Sequence, residues 1–313
     1  MNNRRHHIND LIDQHHFLTD GGLETVLIFL KDVDLPCFAA FDILSRDWGA
    51  PMLEDYYRDY LQLAAQHNSG FVLETPTWRA SHGWGDQLGY NPDDIADANR
   101  KAVALMEHIR EAHGDVDPVL ISGNIGPRGD GYVPGARMSA NKAAVCHGHQ
   151  IQVFADTAAD MVTALTLNYV EEAIGIVQAA KAAGMPVVLS FTVETDGRLP
   201  SGQTLGAAIA QVDEATESYT SYYMINCAHP THFEDMLAEA GNWRDRVRGL
   251  RGNASKCSHA ELDEAEELDD GNPVELAEDY MRLKAHLPQL RVYGGCCGTD
   301  HRHVGAIAST CLV

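Results

Sequence analysis

Two cysteines stand side by side in GGCCG, residues 294–298, and a third lies in MINCAHP, residues 224–230. Adjacent cysteines do not readily bond to each other, and on a regular strand their side chains point to opposite faces. Three thiolates brought together, Cys227, Cys296 and Cys297, would form a soft trigonal base. Such a base suits Zn2+ and leaves a fourth tetrahedral position open. Glycines at 294, 295 and 298 are expected to let the backbone leave strand geometry so that both neighbouring thiols face one ion. From spacing alone, buried apolar cysteines or a redox pair remain alternatives, because the run lacks the C-x-x-C form. Cys37, Cys146, Cys257 and Cys311 are singletons and read as packing residues. Most histidines read as exposed or capping; His229, two residues past Cys227, is the one placed to line a pocket.

Elements that would carry these thiols recur along the whole chain. Short apolar runs read as strands at 17–22, 71–77, 118–126, 161–167, 186–193, 221–228, 247–255 and 290–297. Amphipathic stretches between them read as helices. The helix over 53–70 would stop at Gly70, and the one over 91–114 would open with Asn91 as cap and Pro92 as first residue. Further helices are expected over 141–160, 168–186, 204–217, 231–241, 273–286 and 301–311. Eight strand–helix units in one α/β chain fit a single (β/α)8 TIM barrel over residues 1–313. An open doubly wound sheet is the alternative, weakened because no G-x-G-x-x-G follows the first strand. In a barrel, chemistry belongs at the C-terminal strand ends. Asp20, Glu74, Asn124, Glu194, Cys227, Asn253, Cys296 and Cys297 fall there.

Composition narrows the partners. With 45 acidic against 23 basic residues the formal charge is −22, which argues against nucleic acid and against an anionic membrane surface. The densest acidic stretch, 259–271, reads as an exposed loop or short helix. Seven cysteines, an odd number without a secretory leader, argue against a disulfide framework and for a cytoplasmic protein.

The segments DGGLET (20–25), ETPTWRAS (74–81), GNIGPRGDGY (123–132), SFTVETDGRLPSGQTL (190–205), INCAHP (225–230) and GGCCGT (294–299) resemble, in order, the motifs of the homocysteine S-methyltransferase family. The resemblance implies a TIM barrel with zinc held by Cys227, Cys296 and Cys297. It implies a small-molecule thiol acceptor, homocysteine or a relative, and a separate methyl donor, giving methionine or a thioether. Asp20 would face the substrate ammonium while the N–H groups of Gly21 and Gly22 approach its carboxylate. Glu74 and Asn226 would line or support the pocket. One departure stands out. Aligning the shared EEA places Leu165 where the family carries a glutamate that contacts the substrate amine, so acceptor choice is expected to be altered, with Glu194 as a replacement carboxylate.

The chemistry expected is deprotonation of the acceptor thiol at the metal and in-line attack on an electrophilic methyl carbon. A sulfonium donor, S-methylmethionine or S-adenosylmethionine, leaves as a neutral thioether and needs no acid. Betaine, folate and cobalamin enzymes of this kind carry further structure. Trp78, Trp84 and Tyr132 are candidates for cation–π contact with a sulfonium. The competing classes are a zinc hydrolase with Glu74 as base and a non-catalytic zinc-binding barrel. A homo-oligomer is compatible with the sequence.

Overall fold

The computed structural model describes residues 3–238, 241–265 and 267–312. Eight parallel strands close into a barrel in chain order. They are β1 (Phe17–Thr19), β2 (Gly70–Glu74), β3 (Val119–Ile125), β4 (Met161–Leu167), β5 (Val187–Phe191), β6 (Tyr222–Asn226), β7 (Val247–Gly252) and β8 (Val292–Gly295). Pairing of β8 with β1 through Phe17↔Val292 and Leu18↔Tyr293 completes the closure and removes the sheet edges of an open doubly wound arrangement. The helices that follow each strand are α1 (Gly49–Gln66), α2 (Pro92–Ala112), α3 (Ala140–Ala155), α4 (Val170–Ala183), α5 (Leu205–Thr216), α6 (Glu234–Ala238), α7 (Pro273–His286) and α8 (His301–Cys311).

Local chemistry sets these ends. Asn91 accepts from the N–H groups of Asp93 and Asp94 at 2.9 and 3.0 Å, and Pro92 occupies the first turn, where a missing N–H costs nothing. Gly184 closes α4 in the left-handed region at φ 65°. Gly70 is not a helix terminator: α1 stops at Gln66, and Gly70 begins β2, where a Cβ would lie 2.6 Å from the Phe17 ring. Except for β4, which matches its run 161–167 in full, the strands are shorter than the apolar runs, because those runs continue as loop backbone beyond the strand ends.

The polar N-terminal stretch hides a plug. The helix Ile8–Gln14 buries Ile8 and Ile12 in one cluster with Phe17, Val72, Leu120, Met161, Val188 and Val292, residues of the barrel strands. Their i,i+4 spacing is enough to close one end of the barrel. Arg5 fastens this segment by donating to the carbonyls of Ala155, Thr157 and Ala159 at 3.0, 2.8 and 2.9 Å. The opposite, C-terminal mouth is left for the site.

Candidate functional site

A cavity of about 390 Å3 opens at the C-terminal mouth, a volume in the range of small-molecule sites. Its floor is buried: Glu74 is 3 %, Asn226 0 % and Cys227 3 % exposed. Its mouth is lined by Phe29 and Phe38, 43 % and 42 % exposed, and by Cys37. One wall comes from the acidic stretch after β7, through Leu262, Ala265, Glu267, Leu268 and Asp269. That stretch therefore lines the cavity as well as meeting solvent, a role its charge density concealed.

The three cysteines converge here. Cys227 follows β6 and Cys296 and Cys297 follow β8, and their sulfurs all lie within 4.8 Å of one another. Sequence reasoning expected three separate thiols, whereas in the structure the sulfurs of Cys227 and Cys296 are joined as a disulfide. Cys297 sits outside that bond with its sulfur 3.7 Å from the Tyr132 hydroxyl. Convergence is not produced by Gly294 and Gly295 leaving strand geometry, since both remain in β8. It is Cys227 itself that adopts φ 54°, while Gly298 turns the chain after the pair at φ 78°.

Asn226 holds this arrangement from beneath. Its Oδ1 accepts from the Thr166 N–H at 2.9 Å and from Ser190 Oγ at 2.6 Å. Its Nδ2 donates to Thr166 Oγ1 at 2.8 Å and reaches the Cys296 sulfur at 3.9 Å. The Thr166 hydroxyl in turn lies 3.8 Å from the Cys227 sulfur. Thr166 is at φ 61°, inside the irregularity between Ala164 and Leu167 where β4 slips against β5. The bulge thus places Thr166 beside the sulfurs and leaves Leu165 lining the cavity.

Asp20 and Glu74 also line the cavity, but their surroundings differ. Asp20 is saturated by the protein. Its Oδ1 accepts from Thr19 Oγ1 at 2.9 Å and pairs with Arg251 at 2.8 Å, and its Oδ2 accepts from Tyr56 at 3.1 Å. Arg251 spends its remaining donors on the carbonyls of Gly295 and Gly21 and on Thr19 Oγ1, at 3.0, 3.1 and 2.7 Å. Gly22 gives its N–H to the Thr299 carbonyl at 3.0 Å, so that donor does not point at a ligand. A Cβ on Gly22 would meet the Cys296 carbonyl oxygen at 2.5 Å, and one on Gly21 the Thr299 carbonyl oxygen at 2.7 Å. These glycines let β1 approach the cysteine turn.

Glu74 has a free lone-pair set. Its Oε2 is buried without a hydrogen-bond partner, while the carboxyl reaches over Ser122 and Thr163 on the neighbouring strands. Burial pushes it up to about 7, with Arg251 pulling the other way. Glu194 lies outside the cavity lining; its Oε1 is 3.4 Å from His259 Nδ1. The His259 Nε2 is 2.5 Å from the Cys227 carbonyl, and its ring stacks on Tyr132 at 3.9 Å between centroids. Glu194 therefore meets the cysteine turn through His259 and the backbone carbonyl of Cys227. His229 is likewise away from the cavity, with Nδ1 2.9 Å from Thr231 Oγ1 and Nε2 3.6 Å from Asp279. Sequence reasoning passed over Arg251 and Arg79. The second arginine of β7, near its C-terminal end, and an arginine between Trp78 and Trp84 were the available signals.

Known proteins bear on this geometry at three levels. The structure superposes on the homocysteine methyltransferase MmuM from Escherichia coli in its metallated form with a TM-score of 0.75, covering 98% of this chain and 99% of that one at 19% identity. The oxidized form of the same protein gives 0.75 at 18% identity with the same coverage. Both likenesses are of fold. In sequence, betaine–homocysteine S-methyltransferase 1 of Bos taurus is 27% identical over 177 residues, 51% of this chain and 41% of that protein. The chain thus matches less than half the length of that relative. The family model described as homocysteine S-methyltransferase matches residues 17–311. Because that match runs from the first strand of the barrel through the cysteine turn to its last helix, the chain belongs to the homocysteine S-methyltransferase family.

Proposed function

We propose that the protein transfers a methyl group from a sulfonium donor, S-methylmethionine or S-adenosylmethionine, to the thiol of homocysteine, with Zn2+ as cofactor. The observation that carries this reading is the set of three sulfurs within 4.8 Å of one another at the floor of the mouth cavity. The donor set fits zinc by its chemistry, three cysteine sulfurs gathered within 4.8 Å. Cys227 and Cys296 must first part from their disulfide to stand the roughly 3.8 Å apart that Zn–S bonds of about 2.3 Å require. Cys227, Cys296 and Cys297 would hold the metal once the first two are reduced. Bound there, zinc supplies Lewis acidity that favours the deprotonated form of the acceptor thiol at neutral pH.

The protein's own residues do the rest. Asn226 and Thr166 fix the sulfurs, and His259 and Tyr132 brace the carbonyl of Cys227 and the thiol of Cys297. Asp20, Gly21 and Gly22 form the wall facing the acceptor, with Arg251 holding Asp20 in place. Glu74, whose Oε2 has no partner, takes the acceptor ammonium in place of a carboxylate at position 165. Its carboxyl reaches Thr163, two residues before Leu165 on β4. In the transfer the donor S–CH3 bond breaks with its electron pair retained by the departing sulfur, the acceptor sulfur forms the new S–CH3 bond, and the thiol proton passes to solvent. The donor leaves as a neutral thioether, so no general acid is required. Catalysis rests on alignment of the two sulfurs and exclusion of water.

A zinc hydrolase in the same cavity would need a base, and Glu74, pushed up to about 7, is the group it would use. Incubation of the reduced, zinc-supplemented protein with each donor, with and without homocysteine, separates the readings. Methionine formed only when thiol is present supports transfer; donor breakdown without thiol supports hydrolysis. Among the described residues no helix is long and apolar enough to cross a membrane. We take the setting to be cytoplasmic and reducing, where the thiols stay available to metal.

A further inference from the structure

Arg79 stands in the loop after β2 and lines the cavity, only 6 % exposed. Its guanidinium carbon lies 3.9 Å from the Trp78 ring centre and 3.7 Å from that of Trp84. Each tryptophan is itself held. Trp78 Nε1 donates to the Leu165 carbonyl and Trp84 Nε1 to the Pro127 carbonyl, both at 3.4 Å. The guanidinium thus lies against two indole rings, which leaves its N–H edge to meet further partners. One edge donor, Nη1, reaches the Gly129 carbonyl at 2.9 Å, while Nε is buried with no partner.

Arg251 offers the contrast. It carries a direct carboxylate partner in Asp20 at 2.8 Å, whereas among the described residues no carboxylate forms an ion pair with Arg79. A buried cation without a bonded counter-ion is costly, and burial pushes Arg79 down to about 10, with Asp130 and Glu24 pulling the other way from a distance, which still leaves it charged at neutral pH. The tryptophan faces offset part of that cost, but the open Nε–H has nothing to bond. Occupation of the aromatic pair by Arg79 also corrects one sequence expectation. Trp78 and Trp84 do not form a vacant cage for a sulfonium, because the chain's own cation fills it.

We propose that Arg79 is the anion-recognition residue of the methyl-donor subsite, binding a carboxylate that the donor carries apart from its onium centre. This rests on the methyl-transfer reading above. The acceptor sulfur must reach the cysteines on the buried floor, so the donor occupies the outer part of the cavity towards Phe29 and Phe38. Arg79 belongs to that part: it lines the cavity together with Cys37, and its Nη1 bonds Gly129 in the loop beyond the end of β3. The donor class that fits is a zwitterionic onium, an amino-acid sulfonium or a betaine. A simple alkyl sulfonium without a carboxylate does not fit.

Matched donors test this. With homocysteine as acceptor, kcat/KM is measured for S-methylmethionine and for its α-carboxamide, in wild type, Arg79→Lys and Arg79→Met. Wild type should favour the acid by roughly 10- to 100-fold, the effect of one charge-assisted hydrogen bond to a buried group. Arg79→Met should bring that ratio towards 1, with Arg79→Lys between. Equal use of both donors by wild type overturns the proposal even if the variants fail to fold. An Arg79→Met loss equal for both donors assigns the residue to structure instead. A loss confined to homocysteine against its own carboxamide as acceptor assigns it to the other substrate, and this also overturns the proposal. If no donor supports transfer, the methyl-transfer reading fails separately. Tryptophan fluorescence titrated with S-methylmethionine and its amide still reads the carboxylate preference, because Trp78 and Trp84 flank Arg79, and equal binding of the two would overturn it.

Discussion

Replacement of Arg251 by Met should reveal how the barrel holds its cysteine turn. The change keeps an apolar stem but removes the guanidinium that joins β7 to β1 and β8 through Thr19, Asp20, Gly21 and Gly295. Both ends of the pair are buried, Arg251 at 4 % and Asp20 at 3 % exposure. Solvent therefore does not rescue the abandoned carboxylate, which keeps only Thr19 and Tyr56. Loss of one partner of a buried, hydrogen-bonded ion pair costs about 3–5 kcal/mol. For 313 residues that lowers the midpoint by roughly 5–8 °C, taking the per-residue unfolding entropy. Differential scanning calorimetry at neutral pH reads the shift, with urea unfolding as the equilibrium check. The double variant Asp20→Asn/Arg251→Met should recover about 1–3 kcal/mol of the single variant's loss, because the stranded charge is gone. A shift below about 1 °C, or strictly additive effects in the cycle, would refute this account of the pair.

Other perturbations address the site in turn. Cys296→Ser and Cys297→Ser should each lose stoichiometric zinc, read by elemental analysis of reduced protein, and at least about 100-fold of methyl transfer; full retention of both properties argues against a three-thiolate centre. Glu74→Gln should alter the pH dependence of stability. The carboxyl is raised from 4.5 to about 7, so its favourable contribution is complete below pH 4.5 and is lost as pH rises through 7. The variant should therefore lose less stability than wild type between pH 5 and 8, by up to about 3 kcal/mol, and urea titrations with unchanged slopes would count against it. The same variant should lose preference for homocysteine over its deaminated analogue; isothermal titration reads this, and a preserved preference would show that the ammonium sits elsewhere. Gly22→Ala should push the Cys296 carbonyl, which a Cβ would approach to 2.5 Å, at about 1–3 kcal/mol. Weaker zinc retention should accompany that cost, and wild-type stability and zinc content would show that the turn relaxes freely.

Much of this architecture is legible in residue order because βα alternation is written in local periodicity. The helix starts at Asn91–Pro92 and the eight apolar runs needed only neighbouring residues to be recognised, and parallel closure follows once eight such units share one core. The cysteine convergence is legible because barrel topology carries strand ends six and eight to one rim. What stayed hidden depends on side chains separated by most of the chain. Arg251 meets Thr19 across 232 positions, and nothing near either residue in sequence announces it. Asp20 was read as open to substrate because its partner lies that far away. Glu194 and the acidic stretch exchanged expectations for a similar reason. A loop's composition sets its solubility, but only its path over the mouth decides whether Leu268 and Asp269 line the cavity and Glu194 does not.

The most direct measurement uses homocysteine with a 13C-labelled carbon skeleton, unlabelled S-methylmethionine or S-adenosylmethionine and the reduced, zinc-supplemented protein, with products read by mass spectrometry. Methionine bearing the labelled skeleton and one added methyl should form only when a sulfonium donor is present, and should be absent with Cys297→Ser. Undiminished labelled methionine from the Cys297→Ser protein, or no labelled methionine from the zinc-loaded wild type with either sulfonium donor, would contradict methyl transfer at the three-cysteine centre.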